Sequence, residues 1–233
     1  QALFKDGVDV LFEKPMTASL DEGDAINQLA DEKKRIVQVG HIERFNPVIM
    51  RLNEYAIRPR LIECHRMSPF MERAANVSVV LDLMIHDLDI VLSLAKARPI
   101  EVHAVGLSVV SPEIDIAHAR LIFADGLVAN VMASRASEER VRTLRIFQDQ
   151  GYFSVDYLQR EITVYSRMNP NGNKQQALTN GKYTFEKVDA LKTELGQFIE
   201  SVKTRSTPMV SGETGKAALA VALQIIDRIK THH

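Results

Sequence analysis

Two short apolar runs with a capped helical segment between them lie within the first 40 residues of the chain. The first run covers residues 8–12 and the second covers residues 36–40. Between them, Ser19 and Glu22 have the spacing of a capping box, in which each side chain satisfies a free main-chain N–H at the helix start. A strand, a helix and a strand in so short a stretch predict a βαβ unit with parallel strands.

The pattern changes after Gly40, where polar and charged residues replace the apolar run. We therefore predict two parts, residues 1–40 and residues 41–233. Pro47 favours the first turn of a short helix early in the second part. Residues 79–95 are predicted to form a longer helix that is apolar on almost every side, as expected of a buried helix.

Strand-like segments dominate the second part, and Asp125-Gly126 favours a tight hairpin between two of them. These segments predict an open, mostly antiparallel sheet, so the chain is assigned to the α/β (α+β) class. Two amphipathic helices end the chain, and Ser211 can cap the last one. The predicted strands cover residues 61–67, 100–110, 114–124, 127–136, 143–148, 152–157 and 161–166, and a loop is predicted at residues 169–173.

The composition excludes several classes of partner. The 233 residues are 45% hydrophobic, enough for a sizeable core, and the formal net charge of −1 argues against nucleic-acid binding. No basic run suggests an anionic membrane surface, and no apolar run approaches the roughly 20 residues of a membrane-spanning helix. Cys64 is the single cysteine, which excludes an intrachain disulfide and favours a cytoplasmic protein. The scattered histidines have no metal-ligand spacing, so we expect no metal.

The first residues and the last two residues of the chain each lead to an expectation. The chain begins at Gln1 rather than at Met, and its first residues resemble the end of a helix that leads into a strand. We therefore expect a further segment upstream. His232 and His233 are either native or the remnant of a purification tag, and the sequence does not distinguish these origins.

A tripeptide at the end of the first predicted strand, Glu13-Lys14-Pro15, contains the first candidate for chemistry. A lysine at the carboxyl end of a parallel strand points into the crevice where α/β folds bind ligands. Pro15 ends the strand and fixes its own backbone. The alternative is a solvated lysine at a strand end, which is common in proteins.

A second candidate lies inside the predicted buried helix. Asp82, His86 and Asp89 are spaced four and three residues apart, which places them on one helical face. A carboxylate beside a histidine can fix its tautomer and raise its basicity, as a general base requires. The alternative is a buried structural pair that satisfies nearby main-chain groups.

A polar segment at residues 41–47 follows the second predicted strand and is expected on the same rim as Lys14. Arg44 and Asn46 could hold sugar hydroxyls or a phosphate. The alternative is a linker between the two parts whose charges face water.

At this point the chain resembles the Gfo/Idh/MocA family of NAD(P)-dependent sugar and cyclitol oxidoreductases. Each matching motif is weak alone, but their order along the chain matches the family. The matching residues are Glu13-Lys14-Pro15, Arg44-Phe45-Asn46-Pro47, Asp82-x-x-x-His86-x-x-Asp89 and a closing pattern from Leu191 to Glu213. Within the family, the amino-acid sequences of residues 39–47 and 81–87 most resemble those of members that act on UDP-N-acetylglucosamine.

The resemblance implies a fold and a cofactor. Residues 1–40 would be the end of a Rossmann domain, and residues 41–233 a substrate-binding and oligomerisation domain with an open, mostly antiparallel sheet. The cofactor would be NAD or NADP, with NAD favoured. The Gly-x-Gly-x-x-Gly fingerprint that cradles the dinucleotide is absent from this sequence, so we expect the 233-residue chain alone to be inactive. A homodimer or homotetramer would form through the open sheet.

The resemblance also implies roles for single residues. His86, oriented by Asp82, would take a proton from a sugar hydroxyl, and Lys14 would steady the same oxygen. Glu13, Lys14 and Pro15 would contact the cofactor. Substrate contacts are expected from Arg44, Asn46 and Arg66. The reaction would oxidise the 3-hydroxyl of a UDP-linked sugar, and the alternative is a non-catalytic oligomerisation or sugar-binding module with an inherited site.

Overall fold

The computed structural model describes residues 2–55, 57–72, 75–149, 151–166 and 180–231. The helices are α1 (Ala2–Lys5), α2 (Leu20–Glu32), α3 (Pro47–Leu52), α4 (Ile85–Ala95), α5 (Ala190–Thr204) and α6 (Gly212–Thr231), with a 3-10 helix at Ile42–Phe45 and a π-helical turn at Val80–Met84. The strands are β1 (Val10–Glu13), β2 (Val37–Gly40), β3 (Leu61–Met67), β4 (Glu101–Leu107), β5 (Ile116–Ile122), β6 (Val128–Ser134), β7 (Val141–Gln148), β8 (Gly151–Asp156), β9 (Glu161–Ser166) and β10 (Gly181–Thr184).

The predicted βαβ unit is confirmed. Strands β1 and β2 pair in parallel, with Glu13 opposite Gly40 at their carboxyl ends, and α2 connects them. The capping box forms, because the main-chain N–H of Glu22 donates to Ser19 Oγ and that of Ser19 donates to Glu22 Oε2, each at 3.3 Å. Both strand ends therefore open onto the same edge of the unit.

The second part contains an eight-stranded sheet in the order β10-β9-β8-β7-β3-β6-β5-β4. Of the described pairings in this sheet, β3 with β6 is the parallel one and the others are antiparallel, which confirms the predicted sheet type. Asp125 and Gly126 form the tight turn between β5 and β6, and Gly126 has the positive φ of 85° that glycine tolerates best.

Helices α4 and α6 cover one face of this sheet, and alternate strand residues are buried beneath them. Ile62, Ala129 and Leu144 are fully buried on this side. The opposite face of the sheet is partly open, and on β4 it exposes 57% of Val105 and 52% of Leu107. The site described below lies at one end of the sheet, not on this open face.

The last helix packs back onto the first part of the chain. Val39 donates its main-chain N–H to the Val210 carbonyl at 2.9 Å, and Asn27 Nδ2 donates to Glu213 Oε1 at 2.7 Å. At Gly215, an added Cβ would lie 2.5 Å from Val39 Cγ2, so α6 and β2 touch at this glycine. These contacts tie the two predicted parts together, and the boundary near residue 41 stays a prediction.

The predicted helix at residues 79–95 begins with the π-helical turn and continues as α4. Ile85 donates its main-chain N–H back to Val80, five residues earlier, so one extra residue is accommodated in the turn. No described helix has the length and apolar character needed to cross a membrane. The loop predicted at residues 169–173 and the pair His232-His233 lie outside the described residues.

Candidate active site

Lys14 connects the end of β1 to the π-helical turn. Its Nζ donates to the main-chain carbonyl of Asp82 at 2.5 Å and lies 3.4 Å from the carboxylate oxygen Oδ1 of the same residue. The Lys14 side chain is 19% exposed, so the ammonium group is held at the mouth of a site rather than extended into water. The alternative of a fully solvated lysine is therefore wrong.

His86 is a half-buried histidine within electrostatic reach of this ammonium group. Burial lowers the pKa of His86 well below its usual value, and the positive charges of Arg66 and Lys14 lower it further. The imidazole is consequently neutral near pH 7. Its Nδ1 atom is buried without a hydrogen-bond partner among the described residues. A neutral imidazole of this kind can accept a proton from a bound hydroxyl group.

The structure corrects the predicted orientation of His86 by Asp82. The expected hydrogen bond between the two side chains is not formed, because the Asp82 carboxylate lies against Lys14. Regular α-helical spacing would place Asp82 and His86 on one face, whereas Asp82 lies inside the π-helical turn at Val80–Met84, where the rotation per residue differs. Asp82 therefore holds Lys14 rather than His86.

His41 is a site residue that the sequence analysis missed. Its ring lies edge-on to that of His86, with the ring centroids 6.1 Å apart and the planes at 88°. His41 is 1% exposed, and burial lowers its pKa. Neither ring nitrogen has a hydrogen-bond partner among the described residues. A signal was available, because His41 follows β2 just as Lys14 follows β1.

A buried ion-pair network lies behind the two histidines. Arg66 donates through Nε and Nη2 to the two carboxylate oxygens of Asp87, at 2.7 and 2.9 Å, and through Nη1 to Glu43 at 2.8 Å. Arg142, opposite Arg66 in the β3–β7 pairing, also reaches Glu43, at 3.1 Å. Burial opposes ionisation of Glu43, but Arg66 and Arg142 outweigh it and lower the pKa of this carboxyl.

The three residues predicted to contact substrate have internal partners instead. Arg66 is 2% exposed and bonded as described above. Arg44 is 7% exposed, and its Nε donates to Asp89 Oδ2 at 2.6 Å. Asn46 caps α3 by accepting the Val48 N–H at 3.2 Å. In this arrangement all three support the local structure, and their role in substrate binding stays a prediction.

An open pocket of about 170 Å³ adjoins Asp82. It lies where the carboxyl ends of β3 and β6 meet the amino end of β7. Of its lining residues only Asp82 was a predicted site residue, because the arginines become adjacent only after the sheet has formed. The pocket is lined by Ser68, Pro69, Met71, Asp82, Leu83, Arg135, Arg140 and Arg142.

The residues present fit one end of a dinucleotide cofactor. Lys14, Pro15 and the exposed Glu13 lie at the carboxyl end of β1, the edge at which open parallel sheets bind nucleotides. The buried nitrogens of His41 and the Oδ1 atom of Asp89 lack partners among the described residues, so polar contacts remain unmade near this edge. No group of three or more His, Cys, Asp or Glu residues in the described part of the chain is arranged to hold a metal ion.

A parallel βαβ unit with Lys14 at its strand end, and the neutral imidazole of His86 within electrostatic reach, has the arrangement expected of a nicotinamide-dependent oxidoreductase. Two family models match the chain: an oxidoreductase family with an NAD-binding Rossmann fold over residues 1–41, and the GFO/IDH/MocA C-terminal domain over residues 34–154. The chain belongs to the Gfo/Idh/MocA family of oxidoreductases, whose cofactor is NAD or NADP.

Individual relatives agree with this family. The chain is 36% identical to UDP-N-acetylglucosamine 3-dehydrogenase of Acidithiobacillus ferrooxidans, over 94% of this chain and 70% of the relative. A crystal form of that enzyme superimposes with a TM-score of 0.91 over 99% of this chain and 73% of that one, at 34% identity. The scyllo-inositol 2-dehydrogenase (NAD(+)) of Bacillus subtilis is 25% identical, over 89% of this chain and 64% of the relative.

Proposed function

We propose that the protein is an NAD-dependent dehydrogenase that oxidises the 3-hydroxyl of UDP-N-acetylglucosamine to the 3-keto sugar. The observation that carries the chemistry is the neutral imidazole of His86, whose Nδ1 atom has no described partner, within electrostatic reach of the Lys14 ammonium group. The substrate follows from the relative at 36% identity, which is a UDP-N-acetylglucosamine 3-dehydrogenase. NAD is favoured over NADP because the inositol dehydrogenase relative is specified as NAD(+)-dependent.

Two side chains perform the proton chemistry. His86 takes the proton of the sugar hydroxyl group, which its lowered pKa leaves it free to accept at neutral pH. Lys14 donates a hydrogen bond to the same oxygen and stabilises the negative charge that develops on it. The bound nicotinamide supplies the acceptor for the hydride that leaves the carbon. Asp82 keeps the Lys14 ammonium group in place through its carbonyl and carboxylate oxygens.

The cofactor side of the site rests on the end of β1. Glu13 is opposite Gly40, and a Cβ on residue 40 would lie 3.2 Å from both Glu13 Oε2 and the Phe12 carbonyl oxygen. The glycine thus keeps the Glu13 side chain close to the strand edge. We propose that Glu13, Lys14 and Pro15 form the wall against which the nicotinamide end of the cofactor lies.

Kinetics of His86→Ala and Lys14→Met in the full-length protein test the assignment. Loss of a positioned proton acceptor or donor is expected to lower kcat with UDP-N-acetylglucosamine and NAD by about 100-fold or more. Lys203→Met, which changes an exposed lysine on α5, serves as the matched control and is expected to leave kcat unchanged. Activity near that of the wild type in either site variant would contradict the proposal.

The alternative is a sugar-binding or oligomerisation module without catalysis. Such a protein would bind UDP-N-acetylglucosamine in calorimetry but produce no NADH with any sugar tested. The unpaired nitrogen of His86 favours the enzyme, because a residue kept only for structure would be expected to have its buried nitrogen satisfied.

We also propose that a second copy of the chain covers the open face of the sheet, giving a homodimer or homotetramer. This face exposes Val105 and Leu107 on β4, at one edge of the sheet, and carries the stacked rings of Tyr152 and Tyr165, with centroids 4.7 Å apart, on β8 and β9 near the other edge. Val105→Asp is expected to halve the mass measured by light scattering, and Leu195→Asp, at an exposed position on helix α5, is the control. A monomeric wild type overturns this proposal. The cytoplasmic location stays a prediction.

A further inference from the structure

The pocket next to Asp82 is lined on one side by arginines from the beginning of β7. Arg140 directly precedes β7, Arg142 is the second residue of that strand, and both side chains line the pocket. The main-chain N–H of Ser68 donates to the Ser134 carbonyl at 2.9 Å, which joins the ends of β3 and β6 and fixes the opposite wall. Both arginines thus line a cavity at the end of the sheet.

The charges of these arginines are not fully compensated. Arg142 shares the Glu43 carboxylate with Arg66 and uses only its Nη1 atom there. Its remaining N–H groups are available, since the Arg142 side chain is 37% exposed. Arg140 is exposed and forms no ion pair with any described residue. Burial and the neighbouring Arg66 lower the pKa of Arg142, as expected where positive charge is in excess.

Resting on the proposed function, we propose that Arg140 and Arg142 bind the diphosphate group of a nucleotide-linked sugar. A guanidinium group presents a planar fork of N–H donors that matches phosphate oxygens, and two adjacent forks suit two linked phosphates. Asp82 lines the same pocket and is bonded to Lys14, so a ligand held by the arginines extends its sugar toward the reacting groups. A free, neutral sugar would leave this excess positive charge without a partner.

The first test is calorimetric binding of UDP and of UDP-N-acetylglucosamine to the full-length wild type, Arg140→Ala and Arg142→Ala. Each variant is expected to bind both ligands about 10-fold more weakly, as charge-assisted hydrogen bonds to phosphate require. Arg145→Ala, which removes an exposed arginine from the same strand but outside the pocket, is the matched control and retains wild-type affinity. Equal affinity of the wild type and both pocket variants, or no UDP binding by the wild type, overturns the proposal.

A second measurement separates a diphosphate from a single phosphate. Wild-type affinity for N-acetylglucosamine 1-phosphate is expected to be well below that for UDP-N-acetylglucosamine, and to fall with Arg142→Ala less than the affinity for UDP does. Equal affinity for the two sugars overturns the diphosphate assignment. Unchanged thermal midpoints in Arg140→Ala, whose side chain is exposed, separate lost binding from lost folding.

Binding and turnover measurements together distinguish failure of the phosphate subsite from failure of the dehydrogenase assignment. If UDP binding depends on the two arginines but no 3-keto sugar forms, the phosphate subsite stands and the dehydrogenase assignment falls. If turnover is found and KM for UDP-N-acetylglucosamine is unchanged in Arg140→Ala and Arg142→Ala, the dehydrogenase stands and the subsite falls. The expected result is a KM for the nucleotide sugar raised about 10-fold, with the KM for NAD unchanged.

Discussion

The Lys14 ammonium nitrogen lies 2.5 Å from the main-chain carbonyl oxygen of Asp82 and 3.4 Å from its carboxylate oxygen Oδ1. These residues are 68 positions apart and join the end of β1 to the π-helical turn. The shorter contact is to the main chain, so it survives any change of the Asp82 side chain that preserves the turn. The carboxylate adds a weaker, partly solvated ion pair.

This geometry predicts a mild effect for Asp82→Asn. The variant keeps the carbonyl contact and loses only the ion pair, which is worth about 1 kcal/mol or less when partly exposed. We expect kcat to fall by about 10-fold at most, far less than in Lys14→Met. Steady-state measurements of kcat for Asp82→Asn and Lys14→Met test this difference. An equally severe loss in Asp82→Asn would assign the proton acceptor role to Asp82.

The buried imidazole of His41 is expected to make the protein less stable as the pH falls. Its folded-state pKa is lowered by burial, so the unfolded chain binds the proton more readily below pH 6.5. The stabilising contribution of the neutral ring is complete above that pH and is lost as the pH falls. Denaturant unfolding of His41→Gln between pH 7 and pH 5 is expected to show a pH slope smaller by up to about 1.4 kcal/mol per unit. An unchanged slope contradicts the lowered pKa.

The Glu194 carboxyl group is expected to have the opposite effect and to make the protein less stable as the pH rises. Burial, together with the nearby charge of Glu13, raises the pKa of this carboxyl to about 7. The folded protein therefore holds the proton between the usual carboxyl pKa of 4.5 and about 7, and stability is lost as the pH rises through this window. Glu194→Gln stays neutral, so its stability relative to the wild type should increase from pH 4.5 to pH 8. A constant difference across that range would contradict the raised pKa.

The ion-pair network predicts unequal effects for two arginines on the same carboxylate. Arg66→Ala leaves Asp87 buried without its partner and is expected to lower the free energy of unfolding by about 3–5 kcal/mol. Arg142→Ala leaves Glu43 paired with Arg66 and should cost about 1 kcal/mol or less. Urea unfolding of both variants tests the difference. Similar losses in the two would show that Glu43 depends on both cations equally.

Alanine substitution at two helical glycines tests the contact between α6 and β2. Gly215 lies at this contact, and Gly196, on α5, is the control. In Gly215→Ala the new methyl group would meet Val39 at 2.5 Å, and we expect a loss of about 1–3 kcal/mol from overpacking. In Gly196→Ala nothing lies within 4 Å of the new Cβ, so the higher helix propensity of alanine should add about 0.5–1 kcal/mol. Thermal unfolding distinguishes the two. Stabilisation by both substitutions would mean that α6 can shift away from β2.

The order of the elements could be predicted from the sequence because local patterns determine it. The capping box at Ser19 and Glu22 and the turn at Asp125-Gly126 involve residues close together in the chain, and both were confirmed. Lys14 and His86 were identified from their positions at a strand end and on a helix face, and the family motifs added support. Neither their contacts nor the pairing order of the strands could be derived from local patterns.

The tertiary structure alone decided how the site residues are paired. The expected bond between Asp82 and His86 gave way to one between Asp82 and Lys14, because a π-helical turn replaced regular α-helix. Arg142 entered the site through its register opposite Arg66, 76 positions away along the chain. Local sequence sets helices, turns and strand ends, whereas charge pairing in a buried site depends on which strands become neighbours.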